Sequence, residues 1–198
     1  VCVAEQEEQL REGAKLLERV VTRVYTPGSL YEESLIGTDE VAGLAAICVK
    51  AEGVGIAILD ASTGHVWTME HTGDERWDRL LDDLLRSSPR EVIFSPRDAE
   101  REEVRKVISQ LDGVTLSQHN SSKRKGESAL KNVLEVADLG HIDLGDSPLA
   151  MDAAGLAADY LATMHVVDSI DVKEVEIMQP DGNMVLDQTT LRNLELTQ

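Results

Sequence analysis

Two apolar patterns alternate along this chain. Leu44 to Val49, Gly53 to Asp60 and Glu91 to Phe94 are short runs with little polar interruption, the pattern of central strands covered on both faces. Longer stretches repeat apolar residues every three or four positions, as amphipathic helices do. One such stripe is Trp77, Leu80, Leu81, Leu84 and Leu85. A second is Val104, Val107, Ile108 and Leu111, and a third, on a helix predicted from about Glu127 to Asp138, is Leu130, Val133, Leu134 and Ala137. A last long helix opens at Ser147-Pro148 and runs to about Met164, with Leu149, Ala153, Leu156 and Tyr160 inward. Punctuation agrees with the pattern. Lys50–Gly53 and Ala61–Gly64 are hairpin-like connections, the second leading into a strand from His65 to Met69. Thr72 with Glu75 reads as a capping box, Ser88-Pro89 as a helix stop, and Ser95-Pro96 as an N-cap followed by proline. Val114 to Leu116 is a fifth strand. Before all of this, Val1 to Glu5 and Val20 to Tyr25 read as strands separated by a helix from about Glu7, and Thr26-Pro27-Gly28-Ser29 ends the second.

From that turn onward the order is β-β-β-α-β-α-β-α. Strands joined by tight hairpins are antiparallel, and strands joined through helices are parallel with right-handed crossovers. The expected fold is therefore α/β, a mixed five-stranded sheet with helices on both faces, the topology of ribonuclease-H-like domains. Gly53 to Asp60 is expected near its centre. After Met164 the chain turns polar and extended, with Pro180-Asp181-Gly182 as a turn between Val175–Met178 and Met184–Leu186.

Composition changes this picture in one respect. The chain of 198 residues carries 37 acids against 19 bases, a net charge of -18, and only 3% aromatics. Such a surface repels nucleic acid and anionic membrane, whose phosphates need clustered Lys and Arg. Arg outnumbers Lys by 12 to seven, which with the acidity gives a halophile-like composition. No run of residues has the apolar length of a membrane span. Two cysteines, Cys2 and Cys48, are too few for a disulfide scaffold and fit two reduced thiols in a cytoplasmic protein.

A ribonuclease-H-like sheet raises the reading of a nuclease or resolvase, which needs carboxylates sharing two Mg2+ ions about 4 Å apart. The first strand, Leu44 to Val49, has no acid. Asp60 ends the next strand in a hairpin-capping position, and Asp82 and Asp83 flank an apolar stripe where solvation is expected. His65, His71, His119, His141 and His165 show no paired metal-ligand spacing, and no phosphate-binding glycine loop occurs. No catalytic, cofactor-binding or metal residue is therefore nominated. The one basic cluster, Lys123-Arg124-Lys125, reads as a solvated loop, able at most to touch a phosphate or two.

Six blocks of residues, in order, resemble the MutS family of DNA mismatch-repair proteins. They are Val1-Cys2-Val3-Ala4-Glu5-Gln6 with Val20 to Gly28; Leu44 to Ile47; Gly55 to Gly64; Ser88 to Phe94, similar to the family's (Ser/Asn)-Pro-x-Glu strand; Ala153-Ala154-Gly155 with Tyr160-Leu161; and Met184 to Glu195. Gln118–Gly126 and Leu139–Asp146 have no counterpart, and Tyr25 and Ser29 depart mildly from the first turn block. The resemblance implies three parts: 1–28 as the end of the mismatch-binding domain and its linker, 29–165 as the ribonuclease-H-like connector domain, and 166–198 as the start of the lever domain. It implies a connector that couples mismatch recognition to the lever and ATPase domains and contributes to docking of MutL, without being an enzyme itself. The family's mismatch-reading Phe-x-Glu motif would precede Val1. Its clamp, dimer interface, and ATPase site with ATP and Mg2+ would follow Gln198. The expected partner surface is the unmatched loop and the helix after it, with Lys125, Glu127, Lys131, Asn132 and Glu135 facing outward and mixing both charges in an acidic chain.

Overall fold

A computed structural model describes residues 2–6, 19–29, 43–60, 63–139, 147–164, 172 and 174–178. The predicted helix from Glu7, the turn at Pro180 and the block Met184–Glu195 lie outside these residues, as do His141 and His165. Near the start, β1 (Cys2–Gln6) and β2 (Arg19–Val24) pair antiparallel as a two-stranded sheet of their own. The main sheet holds β3 (Gly43–Val49), β4 (Gly53–Asp60), β5 (His65–Thr72), β6 (Glu91–Phe94), β7 (Thr115–Gln118) and β8 (Glu174–Ile177). Its order is β7-β6-β3-β4-β5-β8. The meander β3-β4-β5 is antiparallel, with Leu44 opposite Leu59 and Ile47 opposite Ile56, while β6, β7 and β8 join parallel to their neighbours.

The mixed sheet is as expected, but among the described residues it has six strands where the sequence pattern predicts five. The sixth, β8, runs Glu-Val-Glu-Ile and lies at the edge beside β5. An edge strand needs only one buried face, so its alternating glutamates read as polar extended chain although Val175 is buried.

Side chains alternate across the sheet and feed two cores. On one face Leu44, Ala46, Ala57, Leu59 and Ile93 pack under α3 (Lys123–Val133) and α4 (Pro148–Thr163). On the other, Ala45, Ile47, Ile56, Val92 and Phe94 meet Leu80 and Leu84 of α1 (Arg76–Ser87) and Val104 and Val107 of α2 (Glu102–Ile108). Helix α4 lies so close to β4 that a Cβ at Gly55 would stand 2.0 Å from the carbonyl oxygen of Leu149. Its first turn is capped from the sheet, the Leu149 amide donating to the Glu70 carboxylate at 2.8 Å, while Ser147 makes no side-chain cap.

Three local expectations are corrected. Thr72 does not cap α1: it ends β5 opposite Gly53, and the helix begins at Arg76 without a side-chain cap. The helix expected after Ser95-Pro96 is divided into a 3₁₀ turn at Asp98–Glu100, held by the Asp98 amide on Ser95 Oγ at 3.1 Å, and α2. Helix α3 starts at Lys123 and ends at Val133, about one turn earlier than the periodicity places it.

Candidate docking surface

The early start of α3 has a plain cause. Ser122 takes an extended conformation and its hydroxyl accepts the Lys125 amide at 3.3 Å. Lys123, Arg124 and Lys125 therefore form the first turn of a helix rather than a loop. The inward stripe is Gly126, Ala129, Leu130 and half-buried Val133, and Ala137, expected inward, is exposed. Gly126 and Gly155 sit where α3 crosses α4; a Cβ on either would meet the other's backbone at 3.0 Å.

Of the five residues expected to face outward, Lys125, Glu127 and Asn132 do so from α3, and Lys131 is half-buried. Glu135 is exposed but lies past the helix. It holds a left-handed φ of 53°, its amide donating to the Asn132 carbonyl at 3.3 Å and the Val136 amide to that of Lys131 at 3.0 Å. That is a Schellman ending with glutamate where glycine is usual. Lys123 and Glu127 form an ion pair at 3.8 Å. The surface thus mixes both charges, with three cations crowded at the positive end of a helix dipole.

Beside this helix a crevice of about 570 Å3 opens at the carboxyl ends of β3 and β6, lined among others by Cys48, Ser95, Asp98, Ser121, Lys123 and Asp152. Lys50 meets Asp152 at 2.6 Å, and that bond raises the lysine's pKa. Burial, then the charges of Asp152 and Asp98, push the Cys48 thiol up to about 12, leaving it unreactive.

The carboxylates weighed for metal chemistry are scattered. Asp60 is half-buried at the end of β4 and Asp82 is exposed. Asp83, expected in solvent, is buried instead, its Oδ2 2.6 Å from Nε2 of buried His71, which ties α1 to β5. His119 pairs with Asp159 at 2.9 Å, and the His65 ring lies tilted by 40° against Trp67, with centroids 5.3 Å apart. Among the described residues no group of three or more His, Cys, Asp or Glu side chains is placed to hold a metal ion. No described helix is long and apolar enough to cross a membrane.

One polar feature escapes local sequence patterns. Glu91 is fully buried in β6. Its Oε1 accepts the hydroxyls of Tyr160 at 2.6 Å and Ser117 at 2.5 Å, and its Oε2 accepts the amide of Gly28 at 3.0 Å. Its signals in the sequence are a glutamate opening an otherwise apolar strand and its place in the Ser88-Pro89-Arg90-Glu91 block.

Residues 42–166, the span from the foot of β3 to the end of α4, match the family model described as MutS domain II. The chain belongs to the MutS family. Similar relatives include the DNA mismatch repair protein MutS of Symbiobacterium thermophilum, 34% identical over 200 residues that cover all of this chain and 23% of the relative. That of Anaeromyxobacter dehalogenans strain 2CP-C is 33% identical over 193 residues, 96% of this chain and 21% of the relative. That of Myxococcus xanthus is 29% identical over 206 residues, 99% of this chain and 22% of the relative. This chain thus spans less than a quarter of the MutS proteins it matches, and the part in common contains MutS domain II, the connector.

Proposed function

We propose that this MutS connector couples mismatch recognition to the lever and ATPase domains of its parent protein, and that it contributes to docking MutL through the outward face of α3. ATP and Mg2+ belong, on this reading, to the parent's ATPase domain, and mismatched DNA to its mismatch-binding domain. The observation that carries the docking reading is the surface of α3 itself. Lys125, Glu127 and Asn132 stand exposed on one rigid helix, Lys131 and Glu135 extend the patch, and both charges occur together on a chain of net charge -18. Such a mixed patch steers a partner and fixes its register more than it adds bulk affinity.

The test is the double reversal Lys125→Glu with Glu127→Lys in the full-length protein. Both side chains are exposed, so the fold should survive. MutL recruitment should weaken about tenfold, roughly 1.4 kcal/mol, with mismatch binding and ATP hydrolysis unchanged. Unchanged recruitment by a folded variant would remove α3 from the docking surface.

A further inference from the structure

We propose that Glu91 is the positioning residue that latches the turn leaving the β1–β2 module onto domain II, so that the seat of this turn is set by one buried carboxylate. This rests on the coupling reading above and names the contact through which the coupling would pass.

Three donors from three separate segments converge on this side chain. Ser117 is in β7, Tyr160 is in α4, and Gly28 is in the turn by which the chain leaves β2. The first two belong to the sheet and its covering helix. The third belongs to the incoming segment, 63 residues away in sequence. A buried amide must find an acceptor, and Glu91 supplies it. The fit is close: a Cβ on Gly28 would lie 2.8 Å from Glu91 Cβ and 3.1 Å from Leu44 Cδ1. The turn is shaped for this seat. Ser29 Oγ accepts the Thr26 amide at 2.9 Å, the Ser29 amide donates to the Thr26 carbonyl at 3.2 Å, and Ser29 is buried. The module is also pinned by the Val24 amide, which donates to the Met164 carbonyl at the end of α4 at 3.0 Å. Two of the blocks that carry the MutS resemblance, Thr26-Pro27-Gly28 and Ser88 to Phe94, thus meet at the Gly28–Glu91 hydrogen bond.

Replacing Glu91 with glutamine keeps the shape but leaves one acceptor oxygen, and with that oxygen on the Tyr160 and Ser117 hydroxyls the N–H2 faces the Gly28 amide, donor against donor. In the full-length protein, amide hydrogen exchange of Glu91→Gln should speed at least tenfold across residues 24–29, with β3 and β4 (43–60) as protected as in the parent. Gly28→Ala, which wedges the turn off its seat with the carboxylate intact, should open the same residues. Unchanged protection of 24–29 in Gly28→Ala overturns the latch, as does loss of protection in β3 and β4 together with the turn in both variants, because Glu91 is then an ordinary core residue. If the turn opens as stated and mismatch-dependent MutL recruitment does not change, the latch stands and the coupling reading falls.

Discussion

Cys48 and Tyr160 show how burial becomes a dependence on pH. The Cys48 thiol rises from 9.0 to about 12, chiefly by burial. The Tyr160 hydroxyl rises from 10.0 to about 12, by burial and then by its bond to Glu91. Both groups hold their protons more tightly folded than unfolded, so the unfolded chain loses protons first as the pH climbs. Their contribution is complete below about pH 9 and is lost progressively toward about 12. The melting temperature should fall steadily across that window, and Tyr160→Phe should flatten the fall. A profile that stays level in the unsubstituted protein would contradict it. Asp83 shows why such positions are hard to read from sequence: beside a helical stripe it looks solvated, and only the fold brings His71 from β5 to meet it. Glu91 is hidden for the same reason, since two of its three partners lie more than 60 residues away.

The elements themselves were largely legible. Among the described residues, three of the four α-helices and the first five strands of the main sheet follow directly from apolar period and from Gly and Pro punctuation. The errors have a common cause, competition between a local signal and a tertiary partner. Thr72 and Glu75 have capping-box spacing, but pairing with Gly53 keeps Thr72 in β5. For α3, three cations and a glycine in the first turn hide a helix whose inward stripe begins at Gly126, where the neighbour is another backbone and a side chain would be in the way. Strand β8 hid because its edge position buries one face alone. Close contact also makes the boldest expectation about an element. At Gly55→Ala the added carbon would collide with the Leu149 carbonyl, which the body of α4 holds in place, and overpacking of this kind costs about 3 kcal/mol. Urea unfolding should show the midpoint falling accordingly, and a variant as stable as the parent would mean that α4 can shift away from β4 freely.

Taken together, the 198 residues carry a net charge of -18 on a fold whose few lysines are partly committed to acids: Lys50 to Asp152, Lys106 to Glu102 and Lys123 to Glu127. Self-repulsion of such a surface is felt over about 10 Å at 0.1 M salt and about 3 Å at 1 M. The melting temperature should therefore climb as KCl goes from dilute to molar, and a flat or falling curve would refute the halophile-like reading of the composition. The strand order has a mechanical meaning as well. The incoming turn is bolted at β6, and the chain that follows α4 returns as β8 on the far side of β5. Between those attachments lie the ladders β6–β3, β3–β4, β4–β5 and β5–β8, with α4 laid across β3, β4 and β5 as a brace. Load between those two attachments would run crosswise to the strands, through rows of hydrogen bonds that share it, so on the proposed coupling the sheet would act as a stiff plate that hands a movement of the incoming turn at β6 to the strand at β8.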